Sequence, residues 1–306
     1  MRVLAIGECM AELAPSERFG EFKLGFAGDT FNTAWYLAQI AADIDVNYLT
    51  AVGDDAISQD LRAFMKDSRI SDTHVQVIAG KTIGLYLIHL SNGERSFSYW
   101  RSDSAARQLA VDEIALGRAV KGADLIYFSG ITLAILDPQS REMLFDALRR
   151  ARASGTTVAF DTNLRPQLWS TPQEMTDTVM KAAAQSDIVL PSYDDEAVWF
   201  GDGDSIATLD RYAKAGVDQI VVKNSAQPVV FQKAGQRGEV GVDPARGIVD
   251  TTAAGDSFNA GVLVSVVRQD DLATGIRKGC RLAGHVVRHK GALVPVNLDL
   301  GKDETG

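Results

Sequence analysis

Small residues, a carboxylate and the start of an apolar run meet within residues 250–261. Residues 251–255 are small, so the backbone there can approach a ligand closely, and a helix-like apolar run covers residues 258–267. The first amides of a helix have no partner within it and lie at the positive end of its dipole, which favours phosphate binding. Asp256 lies at this junction, where a carboxylate favours proton transfer over anion binding. The alternative interpretation is that Asp256 only caps the helix, a common use of Asp.

Two segments carry a family resemblance. Residues 250–261 read DTTAAGDSFNAG and resemble the C-terminal signature of the PfkB, or ribokinase-like, sugar kinases, D-T-x-A-A-G-D-x-x-x-A-G. Residues 27–34 read AGDTFNTA and resemble the family's N-terminal Gly-Asp element, with Ala27 in place of the first glycine of the usual pair. The resemblance implies an α/β fold of the ribokinase-like type: a doubly wound, mainly parallel sheet with helices on both faces and a small β lid.

The resemblance also implies roles for the residues of both signatures. Asp256 would be the catalytic base, and the amides of Ala253, Ala254 and Gly255 would form the anion hole for the transferred phosphoryl group. Sugar hydroxyls would bind to three residues of the N-terminal element, Gly28, Asp29 and Asn32. A Gly-Asp turn that caps the next helix is the alternative for that element.

ATP and Mg²⁺ are the implied cosubstrate and metal. The ATP-binding residues would be Asn163, Lys223, Ser225 and Gly255, although the family's usual K-x-G-x-x-G continuation is replaced here by residues 225–228, SAQP. The family's N-x-x-E region corresponds to residues 188–196, where the Asn is absent and the carboxylate aligns as Asp195 or Glu196. We favour Glu196 as a water-mediated Mg²⁺ ligand. For Lys223 the alternative is a solvated side chain at a strand end. For Asp195 and Glu196 the alternative is that they only stabilise a helix dipole.

A subset of the family that acts on 2-keto-3-deoxygluconate offers a closer resemblance. Residues 161–165, DTNLR, resemble the stretch whose Arg meets the substrate, and residues 99–106, YWRSDSAA, resemble the subset's Y-x-R-x-x-S-A stretch. The substrate residues would therefore include Tyr86, Tyr99, Arg101 and Arg165. Because Arg binds carboxylate through two parallel hydrogen bonds, two arginines would select an acid sugar over a neutral one.

The function expected from this resemblance is transfer of the ATP γ-phosphoryl group to O6 of 2-dehydro-3-deoxy-D-gluconate. Three alternatives remain open. The arginines could form surface ion pairs in a kinase of a neutral sugar such as fructose or ribose. The chain could be a non-catalytic sugar or nucleotide sensor on the same fold. An NAD-dependent oxidoreductase fits the α/β rhythm but lacks the glycine fingerprint after the first strand.

These residues must be positioned by an alternation of strands and helices, which predicts a mainly parallel sheet. Strands are predicted at 3–6, 46–52, 125–128, 157–160, 188–190, 220–223 and 229–231, and helices at 31–42, 60–67, 138–153, 172–184, 194–200, 258–267 and 272–289. A β hairpin is predicted for residues 84–101 around a turn at 91–94, with short exposed strands in 19–26. We expect a single kinase domain over 1–306, with a β lid from roughly 12–30 and 82–103 inserted in it.

Composition limits the class of protein and its partners. The chain has 306 residues, 46% of them hydrophobic and 23% charged, which is ordinary for a soluble globule. A formal net charge of −9 argues against non-specific nucleic-acid binding. The two cysteines, Cys9 and Cys280, are expected to be reduced thiols, and no stretch suggests a leader or a membrane span. We therefore expect a cytoplasmic protein that forms a homo-oligomer through its lid, as the resemblance implies.

Overall fold

A computed structural model describes residues 1–16, 18, 20–91 and 94–298. Its strands are β1 (Arg2–Ile6), β2 (Met10–Pro15), β3 (Phe22–Ala27), β4 (Asp45–Val52), β5 (Ile70–Val77), β6 (Leu85–Ser91), β7 (Glu94–Trp100), β8 (Leu125–Ser129), β9 (Thr157–Asp161), β10 (Ile188–Val189), β11 (Gln219–Val222), β12 (Val229–Lys233) and β13 (Gln236–Val240). Its helices are α1 (Asp29–Ile40), α2 (Ala56–Asp67), α3 (Glu113–Val120), α4 (Gly130–Ile135), α5 (Pro138–Ala153), α6 (Pro172–Ala183), α7 (Tyr193–Phe200), α8 (Ser205–Lys214), α9 (Ala254–Arg268) and α10 (Leu272–Val286).

The large sheet has nine strands in the order β13-β12-β11-β10-β9-β8-β1-β4-β5. Its strands pair in parallel from β5 to β11, and only β12 and β13 are antiparallel. Alternate residues of β1 enter different cores: Leu4 and Ile6 pack with α3, α4, α5, α6 and α8, whereas Val3 and Ala5 pack with α1, α2, α9 and α10. A strand buried on both faces is what a parallel sheet covered by helices requires. The predicted fold class is confirmed.

A second sheet of four strands forms the lid, in the order β3-β2-β6-β7. The predicted hairpin is present as β6 and β7, paired antiparallel with Tyr86 opposite Tyr99. Its predicted turn includes residues 92 and 93, which lie outside the described residues, as do Glu17 and Phe19 of the predicted first lid segment. Strands β3, β6 and β7 fall within the ranges predicted for the lid, whereas β2 begins at Met10, two residues before the first range. The treatment of the chain as one domain stays a prediction.

Five elements of the large-sheet layers were not predicted: β5, β13, α3, α4 and α8. The β5 sequence, ISDTHVQV, is mostly polar because the strand lies at the sheet edge. Helix α8 buries Thr208, Leu209 and Tyr212 on one face, so its apolar face was a usable signal that the prediction missed. Only for the two edge strands, β5 and β13, does the hydrophobic pattern carry little signal.

The carboxyl ends of the parallel strands position polar residues at one edge of the large sheet. Glu8 follows β1, Asp161 ends β9, Ser192 follows β10, and Lys223 follows β11. Ligands of open α/β sheets bind at this edge. No helix within the described part of the chain is long and apolar enough to cross a membrane.

Candidate active site

Two neighbouring cavities lie above this edge. The larger cavity, about 760 Å³, is lined by Asp256, Asp29, Arg101 and Arg165 among others. The smaller cavity, about 400 Å³, has apolar walls that include Val229, Ile248 and Phe258. Both are lined by Ser192, Lys223, Thr251, Ala254 and Gly255. The loop before α9 and the start of that helix therefore form the boundary between the cavities.

Asp256 lies in the first turn of α9, and the residue just before that helix, Ala253, has a strained backbone. Ala253 precedes the helix with φ of 58°, a left-handed conformation that is uncommon outside glycine and that clusters at functional sites. The Asn32 amide of α1 donates a hydrogen bond to Asp256 Oδ2 at 2.7 Å, and the Thr33 hydroxyl donates to the Asp256 carbonyl at 3.1 Å. Contacts from α1 thus fix the carboxylate at the floor of the larger cavity.

Burial raises the pKa of Asp256 to about 8, and the negative charge of Asp29 adds to this rise. The Asn32 hydrogen bond opposes it, as does the positive charge of Lys223, while Asp161 contributes a further rise. Burial likewise raises the pKa of Asp29. A carboxyl whose pKa lies near neutral can take up and release a proton under physiological conditions, as a general base must.

The predicted anion hole needs one revision. The Ala254 amide donates to the Thr251 carbonyl at 3.2 Å and so is already engaged in a turn. Gly255 and Asp256 are the second and third residues of α9, and amides at those positions have no acceptor within the helix. Gly255 also lines both cavities. The free donors at the junction are therefore best sought at Gly255 and Asp256.

The N-terminal Gly-Asp element lies on the other side of the larger cavity. An added Cβ at Gly28 would lie 2.1 Å from the Glu8 carbonyl oxygen, so the close approach of two backbone segments requires glycine here. The Asn163 side chain donates to Asp29 Oδ2 at 2.7 Å. Asn163 lines the larger cavity and not the smaller one, so the structure separates it from Ser225, with which it was grouped as an ATP-binding residue. The end of β9 brings it to Asp29 instead.

The two arginines of the predicted clamp both line the larger cavity but differ in environment. Arg101 is nearly buried, its side chain 11% exposed, and it forms an ion pair with buried Glu8. Glu8 also accepts a hydrogen bond from the Ser104 hydroxyl at 2.5 Å. Arg165 is half exposed and lies 3.6 Å from Asp195. Arg165 is therefore the less neutralised of the two charges.

Aromatic side chains of the lid form one wall of the larger cavity. Tyr86 and Tyr99 have ring centroids 5.8 Å apart, and Phe97 lies 6.1 Å from each. The Tyr86 hydroxyl donates a short hydrogen bond to Glu12 on the neighbouring strand β2. Tyr99 stays half exposed. The lid thus presents an apolar face to whatever occupies the cavity.

The predicted ATP residues after β11 lie at the smaller cavity. Lys223 Nζ donates to Asp161 Oδ1 at 3.0 Å and to Asn259 Oδ1 at 3.2 Å, and Lys223 lines both cavities. The Ser225 hydroxyl donates to Asp194 Oδ2 at 2.6 Å, and Ser225 lines the smaller cavity alone. Lys223 and Ser225 follow the end of a predicted strand, and this position brings both residues to the edge of the sheet where ligands bind.

The structure does not bring Glu196, the acid favoured as a metal ligand, to either cavity. Glu196 is fully buried and lines neither cavity. Its carboxylate accepts hydrogen bonds from Thr162, Arg211 and Tyr212, so its oxygens are occupied. The other aligned acid, Asp195, lines the larger cavity together with Lys223. No cage of three or more His, Cys, Asp or Glu side chains forms among the described residues.

Sequence reasoning missed three polar residues of the site: Glu8, Asp161 as the partner of Lys223, and Asn259. Glu8 and Asp161 each stand at or just after the end of a buried parallel strand, which is a usable signal. Asn259 lies three residues after Asp256 on α9, so both side chains project from the same side of the helix. As a polar residue in a mostly apolar helix, Asn259 could have been identified from the sequence.

Comparison with known proteins decides the family. A model of the "pfkB family carbohydrate kinase" matches residues 1–298. The chain belongs to the pfkB family of carbohydrate kinases. Two 2-dehydro-3-deoxygluconokinases are 37% identical to this kinase: that of Haemophilus influenzae over 300 residues, covering 96% of this chain and 95% of the relative, and that of Escherichia coli K12 over 303 residues, covering 96% and 97%. The crystal structure of aminoimidazole riboside kinase from Salmonella enterica, complexed with aminoimidazole riboside and an ATP analogue, superposes with a TM-score of 0.82 at 23% identity, covering 96% of this kinase and 97% of that chain.

Proposed function

We propose that this kinase transfers the γ-phosphoryl group of ATP to O6 of 2-dehydro-3-deoxy-D-gluconate. The observation that carries the proposal is that Arg101 and Arg165 both line the cavity whose floor holds Asp256. Two cationic side chains in the same cavity as the base suit a sugar with a carboxylate at the end opposite its reacting hydroxyl. The full-length similarity to 2-dehydro-3-deoxygluconokinases supports the same substrate.

In the proposed reaction the larger cavity holds the sugar and the smaller one holds ATP. Ionised Asp256 takes the O6 proton, the O6–Pγ bond forms, and the bond from Pγ to the β-phosphate oxygen breaks, with its electron pair leaving on ADP. The amides of Gly255 and Asp256 receive the charged phosphoryl oxygens at the positive end of α9. Positioning and charge stabilisation supply most of the rate in such transfers.

Contacts to the two substrates follow from the cavity walls. Gly28, Asp29, Asn32 and Asn163 face the sugar hydroxyls, and the Tyr86 and Tyr99 rings cover its apolar face. The adenine ring fits between the apolar walls of the smaller cavity, and Lys223 and Ser225 serve the phosphates. ATP binding is a property of the family, and the contact residues are our assignment.

Asp195 is the residue best placed to hold the Mg²⁺ that accompanies ATP. Its carboxylate is 40% exposed and lies in the larger cavity next to Lys223 and the phosphoryl junction. Mg²⁺ usually keeps several waters and takes one or two carboxylates plus phosphate oxygens, so a single protein ligand through water fits. When bound, the ion offsets charge on the phosphate oxygens.

A coupled ADP-release assay tests the substrate. The panel is 2-dehydro-3-deoxy-D-gluconate, gluconate, fructose, ribose and adenosine, each with ATP and Mg²⁺. We expect turnover with the keto-deoxy acid and a rise of at least tenfold in its KM for Arg101→Ala and Arg165→Ala, about the loss of one charge-assisted hydrogen bond. Turnover with a neutral sugar only would discard the arginine argument. The absence of turnover with every compound of the panel would favour the alternative of a non-catalytic sugar or nucleotide sensor.

We also propose that the kinase self-associates through its lid in the cytoplasm, where ATP is available. Large apolar side chains on the lid strands remain exposed, among them Phe22, Leu24 and Trp100. A cluster of this kind marks an interaction surface in soluble proteins. Sedimentation of the wild type and of Leu24→Glu is the measurement, and a monomeric wild type would refute the proposal.

A further inference from the structure

Lys223 occupies the boundary between the two cavities with most of its side chain buried. The side chain is 11% exposed, and the residue lines both cavities. An added Cβ on Gly255 would lie 3.8 Å from Lys223 Nζ, which locates the ammonium group beside the first turn of α9. A phosphoryl group that passes from one cavity to the other must therefore pass close to this charge.

Two buried side chains hold the ammonium group in place. Asp161 is 4% exposed and accepts one N–H at 3.0 Å, and fully buried Asn259 accepts a second at 3.2 Å. A lysine ammonium has three N–H donors. Within the described residues these two oxygens are its acceptors, so the third donor is left for a ligand.

Asp161 and Asn259 are themselves fixed by a buried network. The Asn259 amide donates to Asp161 Oδ2 at 2.8 Å and to the Tyr127 hydroxyl at 3.1 Å. The Thr33 hydroxyl lies 3.3 Å from the same tyrosine hydroxyl, from which it can accept, and donates to the Asp256 carbonyl at 3.1 Å. A continuous set of hydrogen bonds therefore connects the partners of Lys223 to the residue proposed as the base.

We propose that Asp161 and Asn259 position the Lys223 ammonium group at the cavity boundary, where its third N–H stabilises the phosphoryl group during transfer. Lys223 is then a catalytic residue, and the other two are positioning residues. No covalent bond to the lysine forms: the Pγ–O bond to ADP breaks, the new O–Pγ bond forms, and the proton goes to Asp256. The inference rests on phosphoryl transfer by the family and not on the identity of the sugar.

Lys223 also affects the pKa of Asp256, the proposed proton acceptor. The charged and polar groups that face Asp256 are Asp29 and Asn32 from α1, Asp161 from β9 and Lys223 after β11. Lys223 lowers the pKa of Asp256, whereas Asp161 raises it. Removing the lysine and removing the aspartate should therefore move the acid limb of the rate profile in opposite directions.

The test measures kcat, both KM values and the pH profile of kcat/KM with ATP and whichever sugar is turned over. Lys223→Met should lower kcat by about 10²–10³-fold, the loss seen when one charge-stabilising donor is removed. Its acid limb should move to higher pH. Asp161→Asn should lower kcat by about 10- to 100-fold through misplacement of the ammonium group, with its acid limb at lower pH. Asn259→Ala should lower kcat with little change in KM for the sugar.

Matched controls separate these effects from general damage. Lys214→Met and Asp218→Asn make the same substitutions at exposed positions outside both cavities and should leave kcat and the pH profile unchanged. If Lys223→Met is too unstable, the double variant Asp161→Asn with Lys223→Met leaves no unpaired charge in the pair and should still be slow. Near wild-type kcat in the double variant, or acid limbs that move in the same direction, would overturn the proposal. Absence of turnover in the wild type would instead refute the proposed function.

Discussion

Replacement of the proposed base should make the kinase slower and, at neutral pH, more stable. Burial and the charge of Asp29 raise the pKa of Asp256 from 3.8 to about 8. As pH rises, the carboxyl ionises first in the unfolded chain, so the free energy of unfolding falls between these two pKa values. Each pKa unit is worth about 1.36 kcal/mol, so the loss reaches about 5 kcal/mol at pH 7.5 but only about 1.6 kcal/mol at pH 5.

Asp256→Asn removes the ionisation and keeps an oxygen that can accept the hydrogen bond from Asn32. The variant should therefore gain stability that is large at pH 7.5 and small at pH 5, while kcat falls by about 10²–10⁴-fold. At about 2–4 °C per kcal/mol, the rise in Tm is roughly 10–20 °C at pH 7.5 and roughly 3–6 °C at pH 5.

The assay is thermal unfolding of the ligand-free wild type and Asp256→Asn at both pH values, with kcat measured alongside. Asp218→Asn serves as the control, because it removes an exposed carboxylate and should show no pH-dependent gain. A Tm for Asp256→Asn that is equal to or below that of the wild type at pH 7.5 would refute the reasoning from burial and like charge. An equal gain at both pH values would show that packing, not ionisation, is responsible.

Three further predictions concern the residues around the site. Gly28→Ala should destabilise the fold by about 1–3 kcal/mol in denaturant unfolding and raise KM for the sugar, because the new Cβ meets the Glu8 carbonyl oxygen, which cannot rotate away. Glu8→Gln should cost about 3 kcal/mol by leaving Arg101 buried without its ion partner, and adding Arg101→Met should recover part of that loss; additive losses would contradict the pairing. Glu196→Gln should lower Tm yet leave the Mg²⁺ concentration for half-maximal rate unchanged, whereas a shift in that concentration would restore Glu196 as a metal ligand.

Much of the fold could be predicted because its pattern is local. The buried runs of β1, β4, β8 and β9 and the capped helix α5 follow from hydrophobic periodicity and from Pro138 at the first helical position. The strands at the two sheet edges, β5 and β13, give no comparable signal. The ends of helices also moved: α9 begins at Ala254, because left-handed Ala253 starts the helix before its apolar run.

The metal and nucleotide assignments depend on contacts that the local sequence does not reveal. Asp195 and Glu196 are adjacent in sequence, but successive residues of a helix point in different directions, so one reaches the cavity and the other the core. Neither the burial of Glu196 with Arg211 and Tyr212 nor the contact of Asn163 with Asp29 can be deduced from spacing. Each depends on a residue from a distant part of the chain.

The sequence by itself determined the class of chemistry: a small-residue loop, a helix start and Asp256 in order, together with the Gly28–Asp29 element, indicated a sugar kinase of α/β fold. Only the tertiary structure decided how those groups act. Packing of α1, β9, β11 and α9 gathers Asp29, Asp161 and Lys223 around Asp256 and removes much of its carboxylate from water. Burial and mutual repulsion set the proton affinity of Asp256, and both are properties of groups far apart in the chain that meet only when it folds.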